Sequence, residues 1–303
     1  MKVVKPTPIV AAILVSTDAT EPHSAWAAAS AYSVGDKRIL TSTQRIYYRL
    51  LAGTSATSPD ADAVNWLDVG PTNTWAMFDG EISTQTSKAS SLTVVLKPGY
   101  TNSLALFNLE GASLAITVRD ALAGAIVYGD VTLTGPKLIN LDGTVITDWY
   151  QYFFEAFVQR SEVVLTDLPT YSNAHITITL SGGTTVKCGN CLVGTFYDLG
   201  GTQYGATVGI TDYSRKDTDA FGVTTFTRRA YSKRMSARMM LANTQINKVQ
   251  RVLADLRATP CAWIGTDADG FEPLTVYGFY KDFSIDVAYA TTSYCTTEIE
   301  GLT

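Results

Sequence analysis

Short strand-like segments separated by tight-turn dipeptides are the feature that most constrains how this chain can fold. Ser91 to Lys97, Ser103 to Leu109 and Ala112 to Arg119 are rich in aliphatic and β-branched residues, which favour pleated strands. Pro98-Gly99 and Glu110-Gly111, which separate these segments, are typical of turns. Strands at this spacing predict a β-sandwich or jelly roll.

Two further segments belong to the same region. Ala174 to Leu180 alternates apolar and polar residues, and we expect this strand to end at Ser181-Gly182-Gly183. The aromatic run from Trp149 to Phe157 fits a strand period in parts and a helix period in others, so its secondary structure stays open. We interpret this run as core packing and not as a cofactor site.

The C-terminal third combines strands with one amphipathic helix. Val223 to Met240 reads as one long strand. Apolar residues at spacings of three and four predict a helix over 244–257, capped by Asn243 or Thr244 and stopped by Pro260. The expected closing strands are Cys261 to Gly265, Pro273 to Tyr280 and Ser293 to Leu302.

The length of 303 residues suits two or three domains, and a hydrophobic content of 46% is enough to bury real cores. We predict an all-β protein with a small aromatic-rich β module, a β-sandwich or jelly roll, and a C-terminal β domain with one amphipathic helix. The predicted divisions are an N-terminal arm or strand (1–19), the aromatic module (20–70), the β-sandwich (71–198) and the C-terminal domain with helix 244–257 (199–303).

Charge and hydropathy exclude several classes of partner. The net charge of −5 argues against a dedicated nucleic-acid binder, and a charged fraction of 17% is low for a free cytosolic enzyme. No apolar run approaches the length of a transmembrane helix. We therefore expect neither a nucleic-acid partner nor membrane insertion.

Catalytic and metal-binding patterns are scarce. His23 and His175 are the only histidines, and the sequence contains no G-x-S-x-G, phosphate-cradling glycine loop or H-E-x-x-H. Cys188-Gly-Asn-Cys191 is a lone C-x-x-C; a zinc site would need two more ligands, and His23 and His175 are the only imidazoles, so we interpret these cysteines as strand or turn residues, with zinc as the alternative. Asp267-Ala-Asp269-Gly270 is similar to the start of a calcium loop but lacks the downstream Glu, so we interpret it as a hairpin turn. We predict no enzymatic activity, no cofactor and no metal.

Residues 24–70 resemble the small carbohydrate-binding modules of chitinases and phage tail proteins. The matching residues are Ala25-Trp26, Tyr32 to Asp36, Tyr47 or Tyr48, Pro59 and Trp66. The family has an aromatic strand after its Gly-Asp pair, where this chain has Lys37 to Leu40. The resemblance implies a sugar-binding face made of Trp26, Tyr32, Tyr48 and Trp66, because flat rings stack on the apolar faces of sugars. The alternative is that these rings only fill a minimal core.

Two looser resemblances cover the rest of the chain. Residues 74–198 are similar to galactose-binding-like jelly rolls, on the cues Ala76 to Gly80, Leu92 to Leu96 and Val186 to Gly194. Residues 222–303 resemble the strand–helix–strand domains of phage tail-tube, distal-tail and hub proteins. Together these resemblances imply a structural protein of the tail tip or baseplate of a tailed bacteriophage, located in the virion and assembled in the host cytoplasm. The implied partners are other tail proteins and host-surface glycans.

A basic segment in the C-terminal domain is the candidate assembly surface. Its arginines, interleaved with apolar residues, are Arg228, Arg229, Arg234 and Arg238. Acidic residues lie just before it, between Asp212 and Asp219. Opposite charges on two edges of one domain favour head-to-tail contact with an identical neighbour, which closes into a ring where the rotation permits. We therefore predict that these arginines lie at a subunit or partner-protein interface; nucleic-acid contact is the alternative.

Two other functional classes compete with the virion protein. A free lectin-like protein would use the same aromatic module, and a polysaccharide-degrading tail enzyme would use a pair of carboxylates. The sequence singles out no such pair.

Overall fold

A computed structural model describes residues 1–142, 149–154, 159–266 and 271–302 of the chain. Antiparallel strands dominate these residues and one longer helix accompanies them, which confirms the all-β prediction. In the N-terminal region the strands are β1 (Lys2–Pro6), β2 (Leu14–Thr17), β3 (Ser30–Tyr32), β4 (Lys37–Leu40), β5 (Arg45–Arg49), β6 (Gly53–Ser55) and β7 (Trp66–Pro71).

The remaining elements follow in chain order. The middle region contains β8 (Thr86–Leu96), β9 (Ser103–Glu110), β10 (Ser113–Arg119), β11 (Ile126–Tyr128), β12 (Lys137–Asn140), helix α1 (Trp149–Phe154), β13 (Val163–Leu165) and β14 (His175–Asp198). The C-terminal region contains β15 (Gly201–Thr202), β16 (Thr207–Asp212), β17 (Arg215–Thr218), β18 (Thr224–Thr227), β19 (Tyr231–Ala242), helix α2 (Ile246–Asp255), β20 (Cys261–Ile264), β21 (Thr275–Asp286) and β22 (Thr292–Gly301). Within the described ranges, none of the helices is both long and apolar enough to cross a membrane.

Strand β14 is the spine of a β-sandwich-like region. Its first part, from His175 to Ser181, pairs with β8 on one side and β10 on the other. Its later part pairs with β9 and finally with β1. The core of this region is built from the inward residues of β8, β9, β10 and β14, together with Met77 and Leu141.

The expected strand end at Gly182 and Gly183 is wrong, because β14 continues through both residues. The two glycines have φ values of +103° and +86°, which only glycine adopts readily, and the register with β8 shifts between Ser181 and Thr185. A Cβ on Gly182 would lie 2.3 Å from the Cβ of Ala112. The glycines therefore bend the strand and allow a close approach instead of ending it.

The N-terminal strand β1 joins the sandwich to the C-terminal region. It pairs with β14 on one edge and with β20 on the other. The contact continues into side chains, because the Phe107 and Tyr277 ring centroids lie 5.3 Å apart and the Tyr277 hydroxyl donates a 3.0 Å hydrogen bond to the Gly80 carbonyl. Residues 71–198 and 199–302 thus share hydrogen bonds and a buried cluster around Val4 and Phe107.

Helix α2 lies over the sheet of the C-terminal region, as its apolar spacing predicts. Val249 and Leu253 are buried among residues of β19 and β20. The expected side-chain cap is wrong: Asn243 instead bonds to the Tyr289 carbonyl at 2.9 Å and to the hydroxyl of Ser293 at 2.5 Å. The helix ends at Asp255, two residues before the expected end at 257 and well before Pro260.

The predictions for the strand over 223–240 and for the aromatic run from Trp149 are both wrong. The single strand expected over 223–240 is two strands, β18 and β19, separated by Arg228 to Ala230. The aromatic run expected to pack in the core begins with α1, on which Trp149, Tyr150 and Phe153 are exposed. Residues 155–158 at the end of this run lie outside the described residues.

A half-buried ion pair ties the sandwich to the C-terminal region. The Lys233 ammonium on β19 donates to the carboxylate of Glu162, which is 17% exposed. Burial raises the pKa of Glu162, and the charge of Lys233 opposes this rise. A raised folded-state pKa means that the stability from this carboxyl is greatest at low pH and is lost as pH rises through its folded pKa.

We expect Glu162→Gln to show this dependence. The unfolding free energy of the wild type, minus that of the variant, should fall as pH rises above the ordinary glutamate pKa of about 4.3, because the folded state then loses the proton that burial favours. Urea denaturation at a series of pH values measures this difference. If the wild type instead became more stable relative to the variant as pH rises, the charge of Lys233 would have a larger effect on the pKa of Glu162 than burial has.

Candidate binding and assembly surfaces

Two of the four predicted sugar-binding residues form the core of the aromatic module. Trp66 is 2% exposed and Tyr32 is 6% exposed, and their rings meet edge to face with centroids 5.1 Å apart. Trp66 Nε1 donates to Ser55 Oγ at 3.3 Å, and the Tyr32 hydroxyl bonds to both the amide and the carbonyl of Ala27 at 2.8 Å. Neither ring has a free face for a sugar, so the sugar-binding prediction is corrected for these two residues.

Trp26 lies against the same cluster and is only half-buried. Its backbone amide donates to the Ile39 carbonyl at 2.8 Å, which fixes the residue beside β4. Its ring nitrogen Nε1 is buried and has no hydrogen-bond partner in the described part of the chain. Trp26 is therefore less enclosed than Tyr32 and Trp66, on the core side of the module.

Tyr48 lies on the opposite face of the β4–β5–β7 sheet. Side chains alternate along β5, so the neighbour of buried Tyr47 points away from the core. The cross-strand neighbours of Tyr48 are Lys37 and Leu67, and Leu67 is exposed. The four predicted residues consequently do not share one face, and Tyr48 with Leu67 forms the outward aromatic surface of this sheet.

Arg49 is a residue of this module that sequence reasoning missed. Its side chain is buried, at 3% exposure, with the guanidinium carbon 4.9 Å from the Trp66 ring centroid. Only Nη2 has a partner, the Gly53 carbonyl at 3.5 Å, whereas Nε and Nη1 have none in the described part of the chain. The alternation Tyr47, Tyr48, Arg49 was the available signal, because it places Arg49 on the same inward face as Tyr47.

The four predicted interface arginines are all exposed. Arg228 and Arg229 lie in the connection between β18 and β19, where the Arg229 amide donates to Ser214 Oγ at 3.0 Å. Arg234 and Arg238 lie on the face of β19 away from α2, and the Arg238 guanidinium carbon is 4.1 Å from the centroid of Tyr294. Across the described ranges, no carboxylate forms an ion pair with any of the four.

The acidic residues expected on a second edge lie beside these arginines instead. Hydrogen bonds from Ser214, together with the nearby charge of Arg228, lower the pKa of Asp212. The Asp217 carboxylate forms an ion pair at 2.7 Å with Arg215, which lies two residues earlier on strand β17. Asp219 accepts backbone amides in the turn between β17 and β18. The predicted separation of charges onto two edges is therefore wrong.

Residues 207–231, which we call the 207–231 hairpin, comprise β16, which pairs with β19, and an outer part, β17 and β18, whose strands pair only with each other among the described residues. It carries large apolar side chains in solvent, including Phe221 at 92% and Phe226 at 75% exposure. The others are Val208, Ile210, Tyr213, Val223 and Tyr231. Sequence reasoning did not single these residues out, although apolar residues in a turn-flanked polar segment were a signal.

The cysteine pair is structural. Cys188 and Cys191 are both free and buried, and burial raises the pKa of Cys188 to about 12. Such a thiol stays protonated and unreactive at neutral pH. Among the described residues, no three His, Cys, Asp or Glu side chains come together as metal ligands. The calcium-loop-like residues 267–270 lie outside the described residues.

The two faces of the module predict different mutational costs. Trp66→Ala should destabilise the module by about 3–5 kcal/mol, because it empties the core and exposes Arg49. Tyr48→Ala removes a partly exposed ring and should cost about 1 kcal/mol or less. Chemical denaturation followed by tryptophan fluorescence compares them, and equal losses would contradict this division of roles.

Comparison of the sequence with protein-family models and with curated proteins found no significant match.

Proposed function

We propose that this chain is a structural, non-enzymatic component of the tail tip or baseplate of a tailed phage. In this role it assembles with copies of itself into a ring and with other tail proteins, and its aromatic module contacts glycans of the host surface. The observation that carries the proposal is the 207–231 hairpin, which holds bulky apolar side chains in solvent together with exposed arginines that form no ion pair with a carboxylate of the described residues.

The apolar surface of the hairpin supports an assembly role. Monomeric proteins seldom expose contiguous large apolar side chains, and where they do the surface is usually an interaction site. Phe221 and Phe226 are held by an ordered turn and a paired strand, so presenting them costs little further conformational entropy. A partner that covers them gains hydrophobic burial and also covers a short two-stranded edge.

The arginines supply specificity to the same surface. Arginine is enriched at protein interfaces because its planar guanidinium forms several directed hydrogen bonds. Arg228 and Arg229 lie within the 207–231 hairpin, between β18 and β19, and both are exposed. A hairpin that docks on a different surface of the next copy makes a head-to-tail contact, and such contacts form closed rings when the rotation permits.

The aromatic module supports a weaker glycan contact. Tyr48 with Leu67 on one face, and the half-buried Trp26 on the other, are the candidate stacking surfaces. Each stacked ring contributes about 0.5–1.5 kcal/mol, so one copy would bind weakly. A ring presents several copies at once, and avidity would strengthen its attachment.

The assembly proposal predicts the effect of charge reversal. The wild type should form a closed oligomer, and Arg228→Glu with Arg229→Glu should leave a folded monomer, because the new carboxylates repel the partner surface. Light scattering and negative-stain imaging measure assembly, and circular dichroism checks the fold. Lys37→Glu with Lys97→Glu makes the same charge change at exposed lysines away from the hairpin and should assemble normally.

Two outcomes would count against the ring. One is a charge-reversed protein that assembles like the wild type. The other is a wild type that stays monomeric at high concentration. A second variant, Phe221→Ser with Phe226→Ser, tests the apolar part of the contact independently of charge, and it should also weaken assembly.

The glycan proposal predicts that the full-length chain, displayed at high density on beads, binds a subset of sugars on a glycan array. Tyr48→Ala should lower that signal, since a stacking contact worth about 0.5–1.5 kcal/mol is lost in every copy. Tyr100→Ala, at an exposed tyrosine outside the module, is the matched control and should bind like the wild type. An array without signal for the wild type would leave the module a spacer.

A further inference from the structure

A groove of about 500 Å³ runs beside helix α2, between the helix and the strands β1 and β14. One wall is a stripe of the helix and the other is formed by Lys5 and Tyr197. This groove lies in the C-terminal region, outside the aromatic module, and neither proposed surface includes it. Its lining is mainly polar and charged, and it opens to solvent.

Three cations converge on the groove from two elements. Val3 points into the core beneath α2, and strand alternation places Lys5 on the same side of β1. On the helix, Lys248 and Arg251 are three residues apart and share a face. The fold therefore brings together positive charges that are far apart in the sequence.

These cations are not neutralised by the protein. No carboxylate in the described ranges forms an ion pair with Lys5, Lys248 or Arg251. Among the described residues, Asp255 is the one carboxylate that lines the groove. A ligand carboxylate or phosphate would accept charge-assisted hydrogen bonds here, which are about twice as strong as neutral ones.

The uncharged lining narrows the class of ligand. Tyr197, Thr244 and Asn247 offer hydroxyl and amide groups beside the cations. Asp255 accepts hydrogen bonds and repels a ligand that carries only negative charge, so it favours a molecule that also has hydroxyl donors. The volume lies within the range of about 300–1,000 Å³ that is usual for small-molecule sites.

We propose that this groove binds an acidic sugar, a monosaccharide unit that carries a carboxylate or a phosphate. The anionic group lies among Lys5, Lys248 and Arg251, and the ring hydroxyls bond to Asp255, Asn247 and Tyr197. The unit comes either from a free sugar acid or from an acidic polysaccharide, since both present the same chemistry. This inference is independent of the aromatic module and of ring assembly.

Calorimetric titration of the full chain at low ionic strength tests the groove. The probes are glucuronate, glucose 6-phosphate, inorganic phosphate and neutral glucose, with polygalacturonate as the polymer. Glucuronate or glucose 6-phosphate should bind saturably, and glucose at least about tenfold more weakly, because it lacks the charge-assisted contacts. A tighter response per sugar unit to polygalacturonate identifies the polymer as the source, and an equal or weaker response identifies the free sugar.

Lys248→Gln with Arg251→Gln should weaken acidic-sugar binding at least about tenfold while the protein stays folded, since both positions are exposed and glutamine favours helix. Lys97→Gln with Lys281→Gln removes the same charge at exposed lysines outside the groove and the aromatic module and should bind within about twofold of the wild type. Retained binding in the groove variant, equal loss in the control, equal affinity for glucose, or phosphate binding as tight as that of glucose 6-phosphate would each overturn the proposal.

Discussion

The hydrogen-bonded ladder that joins β14, β1 and β20 is the constraint on which the rest of the fold depends. Through it, the sandwich and the C-terminal region share one continuous sheet and the buried cluster around Phe107. An unpaired β1 would leave the backbone groups of two neighbouring strands without partners, which is costly in a buried setting. The position of α2, and so the groove beside it, follows from this ladder, because Val3 of β1 contributes to the core beneath the helix.

Sequence patterns predicted the parts of the fold that depend on local periodicity. The alternation in β10 and the apolar spacing of α2 are properties of the segments themselves, so these elements were identified. The passage of β14 through Gly182 depends instead on what lies beside the strand, namely Ala112 and the shifted register of β8. A pair of glycines can either end a strand or bend it. Which of the two occurs depends on the backbone that lies beside the strand.

The candidate site was less predictable, for a related physical reason. The sequence identified the aromatic residues of the module, but it does not show which of these rings are buried in the small core. Tyr32 and Trp66 fill that core and shelter Arg49, which leaves Tyr48 on the outward face. The interface arginines were placed at the surface, whereas the neighbouring acids proved to stabilise the hairpin itself. Charge counts along a chain miss such short-range pairing, because it depends on turn geometry.

The central position of β1 also shapes how the chain reaches its native state. Val3 of β1 pairs with Tyr197 and Trp263. Strand β1 can therefore pair only after β14 and β20, which follow much later in the sequence, have been synthesised. Contacts between residues so far apart in sequence slow folding, because the entropy of closing the long loop is lost before the contact stabilises the chain. During this interval two apolar valines and an open strand edge stay exposed in the nascent chain, which is the condition under which strands pair with the wrong neighbour. We therefore expect correct pairing of β1 to compete with aggregation during synthesis, and slow synthesis at low temperature to favour the native pairing.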